Sequence, residues 1–334
     1  MTVLLDDPAR EVRFALADAL GASPNAPRHV LLTLAGDQMD IAAIVVSRSP
    51  IFIDVELVEI VGTAAETLQI AVAARAVVSA AVSAVIAEVG ETGVCWTLLG
   101  NPGAEIARAS FTRLAERFGH DPEMREVLLS RSELPGEVRQ ALIRQLGDSL
   151  GALIVGKSWI DEEREQNLTR EACDRATVRI AADVEMDDLV PLVEHLRTSA
   201  QLTTALLLRV LCAGNVRFFE AALSVLSGMP LDRVTTLVRA GRKNGLRAVY
   251  AKSGLPISTF DAFAAALEAC RGMAEERDLV DDYQLTCKMV DSVLSRYRDK
   301  TDGEINDLMA MLRRFAADQT REAARDYARI TAAA

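Results

Sequence analysis

The chain has 334 residues, of which 50% are hydrophobic, 25% charged and 4% aromatic, with a formal charge of −11. Such a composition excludes a disordered chain, which buries too little apolar surface, and a collagen-like one, which needs far more than 19 Gly and 10 Pro. The acidic excess, −8 over residues 1–150 and −3 over the rest, argues against nucleic acid as a partner, because phosphate neutralisation requires a surplus of bases.

Residues 1–7 carry acids where a secretory leader carries bases, so the reading is a cytoplasmic protein. Val12, Ala15, Leu16, Ala19 and Leu20 then recur at i, i+3, i+4, i+7 and i+8, the apolar face of a helix. Ile51–Val55 is only a weak strand candidate. The most apolar stretch, Leu68–Val89, is interrupted by Arg75 and Glu88, which leaves too short a run for a membrane-spanning helix of about 20 residues. Helical spacing returns at Ile106–Phe118, Val138–Leu146, Leu202–Leu211, Phe218–Leu226 and Phe263–Ala269. Turn residues punctuate the chain between these runs, at Gly21–Pro27, Gly90–Gly93, Gly100–Gly103, Gly119–Pro122, Ser132–Gly136, Gly228–Pro230 and Ser253–Pro256. The expectation is an all-α protein of roughly 17 to 20 short helices.

One internal match points to repeats. Val12-Arg13-Phe14-Ala15-Leu16 with Leu20, and Val138-Arg139-Gln140-Ala141-Leu142 with Leu146, both read V-R-x-A-L-x-x-x-L, each behind a proline (Pro8, Pro135). The copies lie 126 residues apart, or three units of about 42, within the period of HEAT and armadillo arrays. Asp7-Pro8 ahead of Val12-Arg13 also resembles the HEAT helix pattern. The expected architecture is therefore a HEAT/armadillo-like stack of antiparallel helix pairs, α-solenoid-like, over residues 1–155. A charged connecting helix over 156–184 leads to a second helical lobe over 185–275, and two amphipathic helices occupy 276–334.

Few residues suggest chemistry. Gly151-Ala-Leu-Ile-Val-Gly156-Lys157-Ser158 fits the nucleotide-binding pattern G-x-x-x-x-G-K-[ST], whose loop amides cradle phosphates. It follows a helical pattern instead of a strand, and its interior is bulky and apolar, so an apolar helix end running into a turn is the preferred reading. Cys95, Cys173, Cys212, Cys270 and Cys287 form no C-x-x-C pair, and His29, His120 and His195 stand apart, so no metal or cofactor is expected. His120 and Asn101 read as turn residues, Asn101 bonding backbone between helices; Trp96 and Trp159 read as packing residues or interface anchors. The acidic pairs Asp6/Asp7, Glu162/Glu163, Asp187/Asp188 and Asp281/Asp282 read as solvated helix faces.

The sign of the charge inverts in one place. Between Arg233 and Phe260 stand six bases, Arg233, Arg239, Arg242, Lys243, Arg247 and Lys252, and no acid. Bases decorating a helix C-terminus would explain them, as would a docking patch for an acidic protein or a phosphate-bearing ligand. Tyr250 and Phe260 are the only aromatics among them, too few to stack single-stranded nucleic acid.

Several phrases carry a family resemblance. Ala74-Arg75, Asn101-Pro-Gly-Ala104-Glu-Ile106 and Arg131-Ser-Glu-Leu134-Pro135 form one set; Gly214-Asn-Val-Arg217-Phe218-Phe219-Glu220-Ala-Ala-Leu223, Gly245-Leu246-Arg-Ala-Val-Tyr250 and Gly254-Leu255-Pro256 continue it. Over roughly residues 1–270 the chain resembles a bacterial family, common in alphaproteobacteria, known only as a domain of unknown function. The resemblance implies a helical, HEAT-like fold with no established activity and no known catalytic residues, so it carries no catalytic residue over to this chain. The expected function is a non-enzymatic, cytoplasmic interaction scaffold or adaptor that docks another, acidic protein through Arg239–Lys252, with homo-oligomers an open option. The alternative is a regulator gated by a nucleotide or phosphorylated small molecule bound at the basic segment, or at Lys157 with its neighbours.

Overall fold

The computed structural model describes residues 2–5, 7–157, 161–272, 282–297 and 303–333. The first helices are α1 (Thr2–Leu5), α2 (Arg10–Gly21), α3 (Arg28–Ala35), α4 (Met39–Arg48), α5 (Asp54–Thr63), α6 (Glu66–Ala73) and α7 (Ala80–Val89). Next come α8 (Thr92–Gly100), α9 (Arg108–Phe118), α10 (Pro122–Ser130), α11 (Gly136–Gly156), α12 (Glu162–Asp183) and α13 (Met186–Thr198). The remainder are α14 (Thr204–Cys212), α15 (Val216–Ser227), α16 (Leu231–Arg239), α17 (Lys243–Lys252), α18 (Phe260–Gly272), α19 (Asp282–Arg296) and α20 (Gly303–Ala333).

Local chemistry sets many of these boundaries. The Ser79 hydroxyl accepts from the Val82 amide at the start of α7, and Thr203 and Asn215 do the same for Leu206 and Phe218 at α14 and α15. Asp121 accepts from Glu123 and Met124 ahead of Pro122, and Gly228, at φ 65°, ends α15 in the left-handed region. Ile51–Val55 forms no strand: it is a turn that runs into the start of α5. Among the described residues the only extended pairing is one isolated parallel bridge, Val78 with Ala104.

The chain divides into two units, Met1–Ser149 and Leu150–Ala334, with α11 beginning in the first and ending in the second. In the first unit, α2, α4, α6, α8 and α10 pack successively in one row, and α5, α7 and α9 in another. Their apolar faces meet in a core that includes Leu34, Ile41, Val45, Val61, Ile86, Leu98, Phe111, Leu114 and Leu128, all buried. The helix pair recurs every 26–30 residues, with starts at 10, 39, 66, 92 and 122 in one row and 54, 80 and 108 in the other. This corrects the expected unit of about 42. The two V-R-x-A-L copies lie in α2 and α11, nine helices apart, and cannot be equivalent places in a two-helix repeat.

Arginines clasp successive pairs together. Arg75 donates to the Val46 and Ser49 carbonyls at the end of α4, and Arg117 to those of Ala87 (2.6 Å) and Gly90 (2.9 Å) at the end of α7. Arg131 donates to Leu99 (3.3 Å), Asn101 (2.8 Å) and Ala104 (3.0 Å) after α8. A guanidinium at a helix C-terminus satisfies carbonyls that have no intrahelical partner and opposes the negative end of the dipole. Asn101 adds to the clasp: its Nδ2 donates to Ala73 and Arg75 carbonyls, and its Oδ1 accepts from the Gly103 amide. At Gly103 a Cβ would collide with the Ala76 carbonyl oxygen, so the turn closes only around glycine.

In the second unit, α14 and α15 form the centre. α14 packs on α12, α15, α18, α19 and α20, and every residue from Leu206 to Cys212 is buried. A helix apolar all round is what such a position requires. Its one charge, Arg209, pairs with Asp174 (3.1 Å) and lies over the Phe315 ring (5.7 Å); burial draws its pKa down, against the pull of Asp174. Phe219 stacks on Phe263 at 5.1 Å, and Tyr250 meets Phe260 and Phe263 at 5.4 Å each.

Candidate functional site

The nucleotide-loop reading does not survive at Gly151, Gly156 and Lys157. Gly151 and Gly156 lie inside α11, whose amides are committed to its own turns, and Lys157 follows with its amide bonded to the Leu153 carbonyl at 3.2 Å. A phosphate cradle needs amides free to point at the ligand. The carboxylate of Glu165 also packs where a Cβ at Gly151 would stand, placing a negative charge there. Ser158 lies outside the described residues, as does Trp159. Trp96 is 52% exposed, on the opposite side of α8 from the buried Val94, Cys95, Leu98 and Leu99, and so is no core residue.

The basic segment folds into α16 and α17. Arg233, Arg242, Lys243, Arg247 and Lys252 are all exposed; Arg247 lies over the Phe260 ring at 5.8 Å. Arg239 differs from these five. It donates to Glu220 of α15 at 3.1 Å, and Thr235 donates to the same carboxylate at 3.2 Å. Glu220 is 0% exposed, so Arg239 compensates a buried charge. The C-terminal explanation fits Arg239 and Lys252, in the last turns of α16 and α17. It fails for Arg242 and Lys243, which are the N-cap and first residue of α17, where the macrodipole disfavours cations. No acid stands in that first turn and no side chain caps it.

A second feature appears only with the fold. A cleft of about 720 Å³ opens between the N-terminus of α15, the C-termini of α16 and α18, and α19. Arg217, Arg239 and Arg271 line it, over an apolar floor that includes Val238, Leu267 and Leu285. Of these arginines the basic run contains only Arg239. Arg217 and Arg271 belong to other helices, and the sequence signal for the cleft is confined to Glu220, an acid inside the apolar run Phe218–Leu223 that demands a buried partner.

Among the described residues nothing else gathers into a metal or catalytic centre. No group of three or more His, Cys, Asp or Glu is placed to hold a metal ion among the described residues. Burial pushes the Cys95 thiol up to about 11 and raises that of Cys212 further, so neither is a nucleophile near neutral pH. The blocks that carry the resemblance are scaffold in the first unit, where Arg75, Asn101 and Arg131 form the clasp. Their continuation supplies the α15 cap, Glu220, and Tyr250, whose hydroxyl bonds Thr259 Oγ1 at 2.7 Å. No helix among the described residues is long and apolar enough to cross a membrane.

Compared with known proteins, residues 41–301 match a family described as an uncharacterised protein conserved in bacteria (DUF2336). No curated protein and no solved structure matches the chain.

Proposed function

We propose that this chain, which belongs to the DUF2336 family of bacterial proteins, is a non-enzymatic, cytoplasmic interaction scaffold that docks an acidic protein on the outer face of α16 and α17. The observation that carries the reading is the set of five exposed bases, Arg233, Arg242, Lys243, Arg247 and Lys252, with no acid between residues 233 and 260 in a chain of net charge −11. Two of them crowd the positive end of α17, an arrangement that costs stability until an anion answers it. Such a surface steers a partner of opposite charge and fixes its orientation. Stacked helix pairs supply the extended, rigid face that docking needs.

The test is capture of a partner by wild-type protein beside an Arg242→Glu/Lys243→Glu/Lys252→Glu variant. Arg239 is left intact because its loss would strand Glu220. A partner held by wild type and released by the folded variant supports the reading, and one held equally by both overturns it.

A further inference from the structure

Three guanidinium groups from three helices converge on the cleft in the second unit: Arg217 in the first turn of α15, Arg239 at the end of α16 and Arg271 near the end of α18. Among the described residues no acidic side chain lines it. Glu220, beneath Arg239, neutralises one of the three charges. Arg217 and Arg271 form no ion pair and no side-chain hydrogen bond among the described residues. Among the described residues, then, two of the cleft's positive charges have no acidic partner, and the positive end of α15 reinforces them. Arg271 passes close over Gly241: a Cβ there would lie 2.7 Å from its Nη1, and Gly241 itself sits at φ +70°.

The charge count selects the ligand. A phosphomonoester carries about −1.5 to −2 at neutral pH, against −1 for a carboxylate, and guanidinium forks match its oxygens in pairs. The volume, about 720 Å³, falls in the ~300–1,000 Å³ range of small-molecule sites, and Val238, Leu267 and Leu285 offer an apolar wall to an organic body. We propose that this cleft binds a small phosphomonoester, its terminal phosphate held between Arg217 and Arg271. The proposal does not rest on partner docking: neither arginine lies in the segment 233–252, and ligand binding is measured with no partner present.

The experiment is titration calorimetry of the full chain with AMP, inorganic phosphate and adenosine, repeated on Arg217→Gln, Arg271→Gln and Arg271→Lys. Binding of AMP or phosphate that weakens at least about tenfold in both Gln variants, and less in the Lys variant, is the expected result. Adenosine should not bind. Because both side chains are exposed, the ligand-free melting temperature of the Gln variants should equal or exceed that of wild type, as relief of like-charge repulsion requires. Three results would overturn the proposal: no binding of either AMP or phosphate at millimolar concentration, equal binding by wild type and Gln variants, or adenosine bound as tightly as AMP.

Discussion

Replacing Arg131 by alanine should loosen the first unit at one identifiable joint. The side chain is 9% exposed and reaches three carbonyls, those of Leu99, Asn101 and Ala104, at 2.8–3.3 Å. Each hydrogen bond to a charged group is worth about 1.5–3 kcal/mol, so a simple sum would reach ~5–9 kcal/mol. Two effects reduce it: water enters the vacated space and satisfies part of the carbonyls, and the guanidinium no longer has to be desolvated. We expect a net loss of about 3–4 kcal/mol, a drop on the order of 10 °C in the melting of a unit of this size. Lysine at the same position keeps the charge but not the fork, and should lose roughly half as much. Hydrogen exchange locates the effect. The amides of Val78 and Glu105, bonded at 3.0 and 2.9 Å across the bridge, should exchange faster in Arg131→Ala, while those of α14 stay unchanged. A loss below about 1 kcal/mol, the level of an ordinary surface change, would refute the clasp, as would faster exchange spread over both units.

Other perturbations follow from the same geometry. Arg239→Ala should cost about 2 kcal/mol in chemical denaturation by leaving Glu220 buried without its cation, and adding Glu220→Gln should recover much of the loss. Gly103→Ala should destabilise the first unit by at least ~2 kcal/mol, since the new methyl meets the Ala76 carbonyl; an unchanged melting curve would contradict the turn. Ellman titration of the native protein should modify Cys287 first, because Cys95, Cys173, Cys212 and Cys270 are buried; prior reaction at Cys95, whose thiol sits at about 11, would count against its packing. Burial raises Cys95 from 9.0 to about 11 and Tyr250 from 10.0 to about 12, so the native state keeps protons that the unfolded chain releases. Stability should therefore fall as pH climbs from 9 toward 12, with Tyr250 phenolate absorbance appearing only on unfolding.

The helices are legible in the sequence because spacing of 3.6 residues and side-chain caps are local facts, written in runs such as Val12–Leu20 and Asn215–Leu226. The length of the repeat is not, because V-R-x-A-L marks an amphipathic helix without saying which row it joins. Trp96 misleads for a related reason: its sequence neighbours are apolar, yet Val94, Cys95, Leu98 and Leu99 share one face and Trp96 falls off it. The basic run is visible in the chain, but its inner division is not. Whether Arg239 serves solvent or Glu220 depends on how α15 meets α16. The cleft is still less legible, since Arg217 and Arg271 stand 54 residues apart and meet Arg239 only after three helices have packed.

The docking surface is tested most directly by zero-length carbodiimide cross-linking of the chain to its captured partner, read by mass spectrometry. This chemistry joins lysine amines to carboxylates in contact, and the chain has only five lysines: Lys157, Lys243, Lys252, Lys288 and Lys300. An acidic partner seated on α16 and α17 predicts bonds from Lys243 and Lys252 to partner carboxylates, lost as salt is raised. Bonds confined to Lys157, Lys288 or Lys300 would place the partner elsewhere and contradict the account.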